Sequence, residues 1–268
     1  MSQSVRNKSN YNNKNDKPRE YKPTDENTVV GRNAVKELLE SGRDVEKLYI
    51  KKGELEGSLK LLISIAKEKR LTVVEVEKSK LDYMSGGLNH QGVIAVASEA
   101  EYSSVDDILA YAEGLGEKPF LVLLDGVEDP HNLGAIIRSA ECCGAHGIII
   151  PKRRSAGLNA TVAKSSAGAL MHMRVARVTN LASTIDELKQ RGLWLFAADM
   201  GGDEYYKTDM TCAAAIVLGS EGFGISRLVK EKCDFTVSIP LRGKVNSMNV
   251  SCAAAVILSE VSRQRSLS

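Results

Sequence analysis

The chain has 268 residues, 43% of them hydrophobic and 26% charged, with a formal net charge of +2. This length accommodates two domains with cores of their own, and the composition is that of an ordinary globular protein rather than a disordered, collagenous or disulfide-framed one. No apolar run approaches the roughly 20 residues of a membrane helix, and the polar N-terminus lacks the apolar centre of a signal peptide, so no membrane partner and a cytoplasmic location are expected.

Residues 1–27 are rich in Asn, Lys and Ser. They bury too little to offset ordering entropy and are expected to be a disordered tail. Order is expected from Val29. Asn33 is placed to cap a helix carrying Val35, Leu38 and Leu39 at i, i+3, i+4 spacing. Val45–Ile50, Leu71–Val76 and Val93–Ala97 read as strands, with a helix from about Ser58 to Lys69. This alternation defines a small α/β module over 28–98. Residues 99–118 are polar and read as a linker, with a short helix around Val105–Ala112.

A second α/β domain is expected over 119–268. Phe120–Leu124 is an unbroken apolar run of the kind found in a central parallel strand buried on both faces. A helix from about Leu133 to Cys143, stopped by Gly144, leads to a strand at Gly147–Ile150. Helices are expected at Thr161–Leu170, Ser183–Arg191 and Ser226–Lys232, and strands at Leu193–Ala198, Ala214–Leu218 and Phe235–Ile239. A last helix runs from Val250 to about Arg263, with small residues at Ala253-Ala-Ala255 for close packing. Alternating strands and helices imply a parallel sheet. Cys142, Cys143, Cys212, Cys233 and Cys252 show no paired spacing, and His90, His131, His146 and His172 form no ligand cluster with them, so reduced thiols and no metal are expected.

Three polar segments follow three of these strands. Asn132 to Arg138 follows the first. Asn132 sits where a helix cap would, Arg138 lies mid-helix beside Ile136 and Ile137, and Gly134 costs helix stability that close approach of a ligand or chain would explain. Gly219-Ser220-Glu221-Gly222 follows Ala214–Leu218; it is neither a G-x-G-x-x-G nor a phosphate-cradling loop. Glu221 is either an acid favoured at a helix start or a group aimed at a ligand. Asn246, Ser247, Asn249 and Ser251 crowd the entry to the last helix, more polar residues than one cap requires. Ligands of open α/β sheets bind at the carboxyl ends of strands, so the three segments are expected to make one site. From Cys142 to Ile185 there is no Asp or Glu, while Lys152, Arg153, Arg154, Lys164, Arg174 and Arg177 fall inside the stretch, which favours a polyanion as partner.

Asn132-x5-Arg138, Gly219-Ser-Glu-Gly222 and Asn246-Ser-Met-Asn-Val-Ser251, in that order, resemble the three motifs of the SpoU (TrmH-like) RNA 2′-O-methyltransferases of the SPOUT superfamily, over about Pro119 to Val261. The front module, ending in Asn89-His-Gln-Gly-Val-Ile94, is similar to the RNA-binding domain that precedes the catalytic domain in this family; with Asp129-Pro-His-Asn132, the likeness is nearest to members that methylate a guanosine of 23S ribosomal RNA. Met248 stands where leucine is usual, a near-isovolume change. The resemblance implies S-adenosylmethionine as methyl donor, a trefoil-knotted C-terminal region, a homodimer and an RNA partner, ribosomal RNA first. It implies that Gly219, Ile239 and Met248, with Leu218, Ser220, Gly222, Pro240 and Leu241, hold the cofactor. Arg138, Asn132, Glu221, Ser247 and Asn249 would surround the transferring methyl and the ribose.

Such a reaction is an in-line displacement by a ribose hydroxyl, a poor nucleophile until it loses its proton. The site must align oxygen, methyl and sulfur and stabilise charge growing on oxygen. Arg138 suits the second task and the grip of a nearby phosphate, and it does not suit a general base, because guanidinium stays protonated. Glu221 is expected to orient its guanidinium, and Asn132 and Asn249 to fix Arg138 and the ribose. A transfer-RNA substrate, a catalytically silent RNA-binding factor and a nucleotide-binding α/β enzyme are the competing readings.

Overall fold

A computed structural model describes residues 27–53 and 57–267; apart from Asn27, the tail expected over 1–27 lies outside them. The front module is a four-stranded sheet in the order β1 (Thr28–Val30), β4 (Val93–Ala97), β2 (Val45–Lys51), β3 (Thr72–Val76). It is mixed: β2 and β3 run parallel, while β4 is antiparallel to both β1 and β2. Helices α1 (Arg32–Glu40) and α2 (Gly57–Glu68) bury Val35, Leu39, Leu59 and Leu62 against it. The cap of α1 is Gly31, at φ 96°, and not Asn33; a left-handed residue turns the chain there and no side chain caps the helix. A further helix, α3 (Lys78–Met84), has no counterpart in the sequence reading.

Segment 99–118 contains α4 (Val105–Gly114), started by a reciprocal Ser104–Asp107 capping box. Its Ile108 is fully buried and packs in one core with Leu121 and Leu123, so this part of the joining segment lies on the second domain. That domain is built on a six-stranded sheet in the order β10 (Phe235–Ser238), β8 (Trp194–Glu204), β9 (Ala214–Gly219), β5 (Phe120–Asp125), β6 (Gly147–Pro151), β7 (Arg174–Val178), with every pairing parallel.

Alternation along β5 separates two cores. Phe120, Val122 and Leu124 face α5 (Pro130–Cys142) and α9 (Val250–Ser266), while Leu121 and Leu123 face α4, α7 (Leu181–Gln190) and α8 (Arg227–Lys232). The result is a helix–sheet–helix sandwich in which each fully buried Leu, Val or Phe contributes roughly 1.5–3 kcal/mol.

Several local readings are corrected. The start of α5 is capped by Asp129 with Pro130 in its first turn, which moves Asn132 inside the helix. The helix expected over Thr161–Leu170 is α6 (Ala160–Ser165) and a separate 3-10 turn at Ala169–Met171, because Ala167 and Gly168 adopt φ 50° and 92°. The helix expected from Ser183 starts earlier, as α7 at Leu181, capped by Asn180.

Candidate active site

The parallel sheet brings the carboxyl ends of β5, β9 and β10 to one edge, and the three polar segments follow those ends. Asn132, on the first turn of α5, is 8% exposed and donates from Nδ2 to Glu221 Oε1 at 3.1 Å. Asn249 donates from Nδ2 to Asn132 Oδ1 at 3.0 Å and to the same Glu221 oxygen. Its own Oδ1 accepts from the backbone N–H groups of Ser251 and Cys252 and so caps α9. One carboxylate and two carboxamides, 117 positions apart at the extremes, thus join all three segments. Capping settles which way the Asn249 amide faces: its oxygen is held by α9 and its nitrogen points at the cluster.

Loop 219–224 is closed on itself. Ser220 N–H donates to Gly224 O at 3.1 Å and Gly224 N–H to Ser220 O at 2.9 Å. A Cβ on Gly219 would lie 2.1 Å from the Gly224 carbonyl carbon, so only glycine permits this closure. The loop walls a cavity of about 480 Å³ with an apolar floor that includes Val237 and Ile257. Leu218, Gly219, Ser220, Gly222, Ile239, Leu241 and Met248 line it, as do Glu221 and Ser247; Pro240 adjoins it in sequence without lining it. Ala198, Asp199 and Met200, at the bend of β8, complete the wall. The sequence reading missed them although the rule that led to the other loops, ligands at strand carboxyl ends, applies equally to the strand ending at Ala198.

Arg138 stands apart. It is exposed on α5, makes no hydrogen bond or ion pair with the cluster, and lines neither this cavity nor its neighbour. Glu221 is occupied by Asn132 and Asn249 rather than orienting Arg138. Gly134 serves the chain and not a ligand: a Cβ there would sit 1.9 Å from Ser165 Oγ and 2.9 Å from Val162 O on α6. The acid-free run also divides. Arg174 lies 3.4 Å over the Tyr111 ring and Arg177 pairs with Glu46 of the front module, whereas Arg153 and Arg154 line a second cavity on the other side of loop 219–224.

Comparison with known proteins follows the same division. The SpoU rRNA methylase family matches residues 119–259, and the substrate-binding domain of RNA 2′-O ribose methyltransferases matches residues 28–103. A Bacillus subtilis protein named as a TrmH-family tRNA/rRNA methyltransferase, YacO, is 48% identical over 88% of this chain and 95% of its own length. A Staphylococcus haemolyticus protein of the same naming is 47% identical over 88% of the chain and 95% of its length. Among solved structures, the SpoU methyltransferase AviRb of Streptomyces viridochromogenes, in complex with AdoMet, is 29% identical with a TM-score of 0.58, covering 90% of this chain and 91% of that one. With a match that takes in the sheet, the three converging segments and the front module together, the chain belongs to the SpoU/TrmH family of RNA methyltransferases.

Proposed function

We propose that the protein methylates a ribose 2′-hydroxyl of ribosomal RNA, a guanosine of 23S RNA as in the RlmB-type enzymes, with S-adenosylmethionine as donor. The observation that carries this reading is the Asn132–Glu221–Asn249 cluster at the wall of the 480 Å³ cavity. That volume lies in the range of about 300–1,000 Å³ typical of sites for small ligands. Its apolar floor suits an adenine, its closed loop 219–224 offers backbone groups, and the Glu221 carboxylate suits a cation. The donor, when bound, supplies a methyl group made electrophilic by a sulfonium. Gly219, Ile239 and Met248 would hold it through backbone groups, with Leu218, Ser220, Gly222, Pro240 and Leu241 around them.

The chain's own residues then have defined tasks. Glu221, fixed by two amide N–H donors, would present its carboxylate to the cationic end of the donor. Asn132, Ser247 and Asn249 position the ribose, an alignment that contributes several kcal/mol. Arg138, exposed on α5 and lining neither cavity in the single chain, is assigned to the RNA-bound state, where it would grip a phosphate and steady the charge growing on the 2′-oxygen, and the proton leaves to an RNA phosphate or water. The active form is a cytoplasmic homodimer with a knotted C-terminal region. In it the module over 28–98 grips RNA and segment 99–118 joins it to the catalytic domain over 119–268.

The test is to map 2′-O-methyl groups on ribosomal RNA from cells with and without the protein, and on the same RNA treated with purified enzyme and donor. A site that disappears in the first and is restored in the second is expected; methylation of transfer RNA alone moves the substrate. Arg138→Ala, at an exposed position, is expected to keep the fold and donor affinity and to abolish turnover. Retained turnover removes Arg138 from the reaction.

A further inference from the structure

The second cavity, about 710 Å³, shares Ser220, Glu221, Gly222, Phe223, Gly224 and Val250 with the first, so the closed loop stands between the two. Asn132 reaches its wall. At the tip of the loop the Phe223 ring is 96% exposed, although the backbone beneath it is tied by both Ser220–Gly224 bonds. A rigidly presented aromatic ring left in water lacks an apolar face to cover it, and base–aromatic stacking contributes about 1–3 kcal/mol per base.

The cavity's charges are uneven in what they are free to do. Of its four carboxylates, Asp125 accepts from Ser226 N–H at 2.7 Å, Asp129 from His131 N–H at 2.9 Å, and Glu221 from Asn132 and Asn249. Glu128 accepts from no described residue, and Arg153 and Arg154 on the same cavity have no ion pair among the described residues. An open site offering one free carboxylate, one bare ring and two free guanidiniums matches a nucleotide taken out of its stack, read on its Watson–Crick edge. The free group decides the base. A carboxylate only accepts, and guanine alone presents two adjacent donors, N1–H and N2–H₂, on that edge. Adenine and cytosine each place an acceptor beside their single amino group.

We propose that this cavity seats the target nucleotide and that Glu128 selects guanine there, with Phe223 stacking on the base and Arg153 and Arg154 facing its flanking phosphates. The proposal rests on the methyltransferase reading and names the substrate of the same centre.

The experiment uses the full-length enzyme and RNA hairpins that differ only at the target base: guanosine, inosine, which lacks the N2 amino group, or adenosine. Wild type is expected to prefer guanosine over both. A bidentate base contact accounts for roughly 10- to 100-fold in discrimination, so Glu128→Gln is expected to lower kcat/KM on guanosine by that factor, to change it little on adenosine, and so to collapse the ratio. Glu128 is exposed, so the variant keeps the fold. Phe223→Ala is expected to raise KM for RNA, and Phe223→Trp to restore it. A guanosine-to-adenosine ratio unchanged in Glu128→Gln overturns the proposal and leaves the methyltransferase intact. Loss of a dimer in Phe223→Ala by sedimentation overturns the stacking role and assigns the ring to a second copy of the chain. Absence of methylation by wild type on every hairpin and on ribosomal RNA takes down both readings.

Discussion

At the scale of single residues, the site depends on amides whose orientation is decided by what they cap. Asn249 is at once the N-cap of α9 and a donor to Asn132 and Glu221. The excess of polar residues at 246–251 is legible in the sequence as more than a cap, and Asn249 shows why: one side chain does both jobs. Asn132 is less legible. It is read as a cap because it precedes an apolar run, whereas Asp129 before Pro130 is the true start signal and frees Asn132 for the cluster. A different buried group governs pH. His146 is 2% exposed, accepts the Phe120 N–H at Nδ1 (2.9 Å) and sits 3.1 Å from Glu117 through Nε2. Burial pushes its pKa below the ordinary 6.5, against the pull of Glu117. With the folded pKa depressed, the unfolded chain takes up the proton first on acidification. The stability His146 contributes is therefore full above about pH 6.5 and declines as pH falls through that value. Thermal melts between pH 7.5 and 5.5 are expected to show this slope, and His146→Gln to flatten it; an unchanged slope assigns the titration to another group.

At the scale of elements, runs dominated by burial are legible and those dominated by distant partners are not. β5, β6 and β9 are continuous apolar segments whose local sequence already demands two covered faces, and they lie where that reading puts them. β7 reads Arg174-Val-Ala-Arg-Val178 and escapes notice because its arginines look like surface residues. Their partners, the Tyr111 ring on α4 and Glu46 on β2, lie 63 and 131 positions away. The α5–α6 contact is similar: only the fold reveals that Gly134 is there to admit Ser165 and the Val162 carbonyl. Gly134→Ala is expected to destabilise by about 1–3 kcal/mol through overpacking. Adding Ser165→Gly should recover part of the loss in denaturant melts. No recovery means that the Val162 carbonyl, which a side-chain change leaves in place, sets the cost.

At the scale of the whole molecule, a buried carboxylate lies where the two domains meet. Glu46 is 8% exposed. Its Oε1 accepts from Ser98 Oγ at 3.0 Å, Tyr102 Oη at 2.6 Å and Leu158 N–H at 2.9 Å, and its Oε2 accepts from Arg177 Nη1 at 3.0 Å. Arg177 also donates to Val45 O and lies 4.2 Å over the Tyr102 ring, and burial followed by the Glu46 charge raises the Tyr102 pKa. A Cβ on Gly157 would fall 1.9 Å from Glu46 Oε2, so glycine makes the room. None of this is visible in a module read alone, since the bonds span as many as 132 positions. Breaking one partner of a buried ion pair costs about 3–5 kcal/mol because the other charge stays buried. Glu46→Ala is expected to show a loss of that size in denaturant melts, and small-angle scattering should show a broader distribution of shapes.

The junction at Glu46 also makes the protein a caliper. On the proposed function, Arg177 and Tyr102 hold Glu46 of the front module against the catalytic domain, so an RNA gripped by the one and methylated by the other is selected by the distance between its two contacts. Loosening this contact with Glu46→Ala is expected to raise methylation of unfolded RNA relative to folded RNA. Equal discrimination by both, measured on folded and heat-denatured transcripts, would show that the opening is set elsewhere.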